Sequence, residues 1–190
     1  HSMALYEIVR ADWFALLRQG VYKVATANSD SHSSHELVAY PRSMIAVEND
    51  TVTGIGATEI AAAIHRGELY GTTGPMIEVD VDGTGPGGVH RGASGTLSIG
   101  IEGAPWVTVN EVRIWINGER WRTLPARTGS VVTQDLALTR DSFLFVEVVG
   151  EPSEIYRTVA PGFTPFAFAN PIFIDTDGDG YRAPGAVPAR

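Results

Sequence analysis

The stretch Ile77-Glu78-Val79-Asp80-Val81-Asp82 decides how this chain is read. Three branched apolar residues alternate with three carboxylates, and a period of two marks a strand with one buried face. The pattern returns downstream. Leu97, Ile99 and Ile101 alternate in the same way, and Val112, Ile114 and Ile116 lead into Asn117-Gly118. That dipeptide suits a type I′ hairpin turn, which predicts a returning strand over 119–124. Apolar runs at 131–138, 143–149 and 172–174 add further short strands. Many short strands with regular turns and no helical period predict an antiparallel β-sandwich.

Upstream the texture differs. Leu5, Ile8, Val9, Trp13, Leu16 and Leu17 recur at three-and-four spacing, which predicts an amphipathic helix stopped by Gly20. A short β-type run at 21–27 follows, ending in a polar loop rich in serine and histidine. A second helix is predicted over 58–66, closed by Gly67, and then a strand over 69–73. Helix, strand, loop, helix, strand is the rhythm of an α/β layer. The expected division is therefore 1–3 as a cloning remnant (His1-Ser2-Met3), 4–82 as an α/β portion and 83–190 as the sandwich, with the boundary near Gly83.

Bulk properties narrow the functions. Hydrophobic residues make up 44 % of the 190, enough for a core. Fourteen basic residues against 22 acidic ones give a net charge of −8, which argues against a nucleic-acid backbone as partner. There is no cysteine, so disulfide scaffolds, thiolate zinc sites and cysteine nucleophiles are excluded. No apolar run approaches the roughly 18 residues of a membrane span.

Two groups of residues could carry chemistry. If 21–27 is a strand, its extended continuation projects Asp30 and His32 to one side, as two arms of a metal site for zinc, manganese or iron. His35 reads first as a solvated loop histidine, with a place beside His32 if a helical turn begins there. His65 and His90 have no evident partner. The second group is Asp175-Thr176-Asp177-Gly178-Asp179-Gly180, which imitates the first half of an EF-hand calcium loop. Position twelve would be Ala186, where that loop needs a bidentate glutamate. Trp115 and Trp121 flank the hairpin, as cross-strand packing or as a platform for a sugar ring.

The stretch Ala27-Asn28-Ser29-Asp30-Ser31-His32-Ser33 resembles a late metal motif of the PHP (polymerase and histidinol phosphatase) phosphoesterases. Tyr40-Pro41-Arg42-Ser43-Met44-Ile45 is similar to that family's proline-arginine strand segment, and Leu69-Tyr70-Gly71-Thr72-Thr73-Gly74-Pro75 to its Thr-x-Gly-Pro ending. The similarity is to the branch named for bacterial carbaryl hydrolases. It implies a fold that is α/β plus all-β: the C-terminal fragment of a PHP-type α/β barrel followed by an antiparallel β-sandwich. It also implies metal ligation by Asp30 and His32, and a cation at Arg42 that holds the anionic group of a small-molecule substrate. The early His-x-His motif of that family is missing, so the chain alone is expected to be inactive as a hydrolase. Related proteins are frequently exported, and a truncated barrel is expected to pair through its exposed face as a homo-oligomer. The alternative expectation is a non-catalytic β-sandwich module that binds carbohydrate or protein, with Asp175, Asp177 and Asp179 as a weak calcium loop.

Overall fold

The structure is a computed structural model that describes residues 3–48, 51 and 53–185. In chain order the elements are α1 (Met3–Arg18), β1 (Arg42–Ile45), α2 (Ala57–Arg66), β2 (Leu69–Thr72), β3 (Met76–Val81), β4 (Val89–Arg91) and β5 (Ser94–Glu102). Then come β6 (Glu111–Ile116), β7 (Glu119–Pro125), β8 (Ser130–Ala137), β9 (Ser142–Val149), α3 (Glu154–Val159), β10 (Phe166–Ala169) and β11 (Ile172–Asp175). The strands form two sheets. The smaller runs β3-β5-β8, and the larger runs β1-β2-β10-β9 and continues on β9 to β6-β7 and to β11-β4. Among the described residues, no helix is long and apolar enough to cross a membrane.

The period-two stretch packs as its pattern requires. Ile77, Val79 and Val81 join Leu97, Ile99 and Ile101 against Leu144, Val146 and Val148 of the larger sheet, forming one apolar core between the sheets. Asn117 and Gly118 both take positive φ, as the type I′ hairpin between β6 and β7 demands. Strand β9 is buried on both faces, which explains why it is apolar at every position but Ser142 and Glu147.

The second face of β9 is covered by α1. Phe14 and Leu17 join Phe143, Phe145, Phe166, Phe168 and Phe173 in one apolar cluster, in which Phe14 meets Phe143 and Phe145 and Tyr6 meets Phe166 and Phe168. Here the predicted helix is present but turned. The apolar residues Leu5, Ile8, Val9 and Leu16 face solvent, and the buried face is Tyr6, Arg10, Trp13, Phe14 and Leu17. Ring area and one ion pair outweigh the aliphatic stripe. Glu147, fully buried on β9, accepts from Arg10 at 2.6 Å, from the Tyr6 hydroxyl at 2.7 Å and from Trp115 Nε1 at 2.9 Å. Burial first, and then the Glu147 carboxylate, hold the Tyr6 hydroxyl well above its ordinary pKa, so it stays a donor.

The α/β plus all-β reading is corrected. A barrel fragment needs parallel strands joined by helical crossovers. Instead β2 lies between β1 and β10 and is antiparallel to both, inside the sheet that carries β9. The segment 21–27 forms no strand. Side chains take up its backbone groups in place of a ladder: Asn170 bonds Ala25 N–H and C=O at 2.9 and 3.0 Å, and Ser43 Oγ does the same for Ala27. The helix at 57–66 forms as its pattern predicts, with Gly67 in the left-handed conformation at its end.

One buried hydroxyl is unpaired beside that glycine. Tyr22 OH has no hydrogen-bond partner among the described residues, and burial raises its pKa to about 12. The folded value lies above the unfolded value of about 10, so its contribution is intact below pH 10 and is lost as pH rises toward the folded value. Tyr22→Phe is expected to keep or raise the melting temperature at pH 7 and to flatten the alkaline loss. Thermal melts of both proteins at pH 7 and pH 11 check this, and a steeper alkaline loss in the variant would refute it.

Candidate metal centre

The acidic turn at the end of β11 folds around its own carboxylates. Asp175 Oδ1 accepts from Gly178 N–H at 2.9 Å and Oδ2 from Gly180 N–H at 3.1 Å, while Asp177 Oδ1 accepts from Asp179 N–H at 3.2 Å. Gly178 and Gly180 take φ of +79° and +111°, which a side chain would strain. Strand pairing then brings in a third carboxylate. In the antiparallel register of β9 and β11, Ile174 pairs with Ser142, so the next step outward sets Asp141 opposite Asp175.

Asp141 ties the turn down. Its Oδ1 accepts from Thr176 N–H at 2.9 Å and Thr176 Oγ1 at 3.0 Å, and its Oδ2 accepts from Arg182 N–H at 2.7 Å. Burial pushes this carboxyl upward, but those bonds outweigh it and hold its pKa below the ordinary value. Asp141, Asp175 and Asp177 each offer one oxygen, and these lie within 4.8 Å of one another. Asp175 is only 1 % exposed. At such spacing each ionised pair repels by about 3 kcal/mol at an effective dielectric of 20. A hard divalent cation would relieve that, and an all-oxygen donor set suits calcium better than zinc.

Asp179 stands apart from this group. It pairs with Arg182 at 2.5 Å, and desolvation together with the Asp177 carboxylate raises its pKa against that partner. Ala186 lies outside the described residues. The third carboxylate beside Asp175 and Asp177 is therefore Asp141, brought in from the start of β9 and not from further along the turn. Spacing along the chain carried no signal for Asp141, because its neighbourhood to Asp175 exists only through strand pairing.

The other candidate residues lie at the surface. His32 Nε2 meets Asp30 Oδ1 at 2.9 Å, with the two side chains 77 % and 63 % exposed. Asp30 has φ of 50°, so the chain there is a left-handed turn and not an extended strand end. Glu36 closes the turn by accepting from His32 N–H and, at 3.0 Å, from Ser33 N–H. His35 is exposed, and Arg42 donates to the Ala39 carbonyl at 3.3 Å. No third ligand joins Asp30 and His32 among the described residues, whereas a zinc site needs three protein donors. A cavity of about 340 Å³ between α1 and the sheet is lined by Tyr6, Val9, Gly71, Phe163 and Phe168, and by none of these four residues. Trp115 is no open platform either. It lies beneath α1, with Arg10 4.2 Å from its ring centre and Arg120 5.3 Å from it.

Fold and site together define a class: a β-sandwich domain, capped on one face by a helix, with a three-carboxylate centre at one end. No family model matches the chain, and no curated protein matches it. Solved structures to which the chain shows some similarity include the CARDB domain of a Pyrococcus furiosus protein, crystallised in complex with di-metal ions. It is 13 % identical, with a TM-score of 0.35, over 55 % of this chain and 96 % of that one. A solution structure of the same domain gives 13 % and 0.34, over 55 % and 97 %. The resemblance to PHP phosphoesterases, and the hydrolase reading that came with it, is therefore corrected. No such family model matches, and residues 42–72 contribute antiparallel strands to a sandwich sheet where a barrel needs parallel ones.

Proposed function

We propose that this chain is a non-catalytic β-sandwich binding module whose acidic centre holds a calcium ion as a structural staple. The observation that supports this most is the convergence of Asp141, Asp175 and Asp177 at the joined ends of β9 and β11. An ion there would cross-link the start of the central strand to the end of the last one. The donors are carboxylates alone, which fits a cation that stiffens a loop. The partner in this reading is a protein surface, since Trp115 is closed to a sugar ring by α1.

Calcium titration tests the reading. Calorimetry is expected to show one site, and free calcium at 100 times the dissociation constant should stabilise the fold by about 2.7 kcal/mol. Asp141→Asn is expected to abolish this gain, and Asp179→Asn to weaken it less. No heat and no shift in melting temperature at millimolar calcium would discard the staple.

A further inference from the structure

Strand β8 differs from the other free edges of this molecule. Its alternation follows from one bond: Leu138 N–H donates to the Ala93 carbonyl at 2.7 Å, so the even-numbered residues of β8 face β5. Val131, Thr133 and Asp135 then turn their N–H and C=O groups outward. Among the described residues, none of these three N–H groups has a partner, and only the Asp135 carbonyl is used, by Gln134 Nε2 at 3.0 Å. Val131 is 68 % exposed.

Elsewhere the edges are guarded. Strand β7 carries Arg120, Arg122 and Pro125 and faces a register shift in β6. On β3, Val81 N–H is bonded to the Thr84 carbonyl in the turn that closes the strand. Strands β1 and β4 are four and three residues long. Charge, proline, bulges and shortness are the usual devices against edge pairing. Strand β8 has eight residues, no proline, no basic residue and one carboxylate.

We infer that β8 is the interface through which two copies of this chain pair, antiparallel, about a two-fold axis at Thr133. The charges at the strand select a second copy in this register. Asp135 sits near one end, and Arg127 is held at the other by Ser130, whose Oγ bonds both Arg127 N–H and C=O. Antiparallel pairing about Thr133 sets each Asp135 opposite Val131 of the second copy, toward the strand end that carries the exposed Arg127, and keeps the two Asp135 carboxylates apart. A register about Gln134 would place those carboxylates diagonally adjacent, which is repulsive. Pairing at Thr133 forms roughly six inter-chain N–H···O bonds and one Thr–Thr cross-strand pair. The result joins two three-stranded sheets into one continuous sheet, independent of any ion at the acidic centre.

The chain lacks cysteine, which makes the test clean. Sedimentation equilibrium at tens of micromolar is expected to give twice the chain mass. Thr133→Cys is expected to oxidise to a covalent dimer, because paired Cα atoms at about 5.5 Å fall in the disulfide range. Val38→Cys, at a site 75 % exposed, serves as the collision control and should not link. Thr133→Pro removes an N–H that β5 does not use and is expected to weaken the dimer about tenfold or more. A monomer at these concentrations would overturn the inference and leave the edge to a foreign strand. A dimer in which Thr133→Cys links no faster than Val38→Cys would overturn it as well.

Discussion

Glu147→Ala is expected to cost the fold about 3–5 kcal/mol, the range for breaking a buried ion pair from one side. The carboxylate is fully buried and receives the Arg10 guanidinium, the Tyr6 hydroxyl and the Trp115 indole N–H. Removing it leaves a cation only 13 % exposed without its counter-ion, and two further donors without an acceptor. Glu147→Gln keeps one acceptor and is expected to lose less. Urea denaturation of the two variants checks the order. A loss below about 1 kcal/mol for the alanine variant would mean that Arg10 finds water and that α1 is not held by charge.

Phe145→Ala is expected to cost a similar amount, about 3–5 kcal/mol, through the transfer of a ring and the cavity left behind. The ring stands on the same face of β9 as Glu147. Trp13 and Phe14 meet it edge-on at 5.5 and 5.2 Å, and Phe168 lies at 6.2 Å. Both residues act on one helix, so their losses should not add. The double variant is expected to lose less than the sum, because α1 undocks once. Amide exchange resolves this. Protection along α1 should fall together in each single variant while β5 and β9 stay protected, and full additivity with α1 still protected would contradict the shared docking.

Much of the sandwich was legible in the residues themselves. Strands announced by period two are where they were expected, since alternate burial depends only on residues two apart. Asn117-Gly118 declared its hairpin because few residue pairs accept two positive φ values. The helix at 57–66 and its glycine stop were equally local. The α/β reading of the first 82 residues failed for a physical reason. Helix-strand-helix-strand describes order along the chain, and nothing in that order says whether β2 pairs parallel or antiparallel, or with which strand. Its partner β10 was not foreseen as a strand, because Phe166-Ala167-Phe168-Ala169 is too short to display a period. At the acidic turn, spacing named Asp175 and Asp177, two of the three carboxylates whose oxygens the fold brings within 4.8 Å of one another. The third carboxylate of that group, Asp141, carried no signal in the spacing, and Asp179, which the spacing also named, lies outside the group and pairs with Arg182.

Alternating burial, the turn at Asn117-Gly118 and the aspartate-glycine turn are properties of neighbouring residues, and the sequence determined them unaided. Tertiary structure alone decided that α1 buries its rings and Arg10 while its aliphatic stripe faces water, that β2 enters the sheet of β9, and that Asp141 meets Asp175. These outcomes compare contacts between residues far apart in the chain. Such contacts acquire an energy only when the whole set is assembled, so no local pattern can rank them.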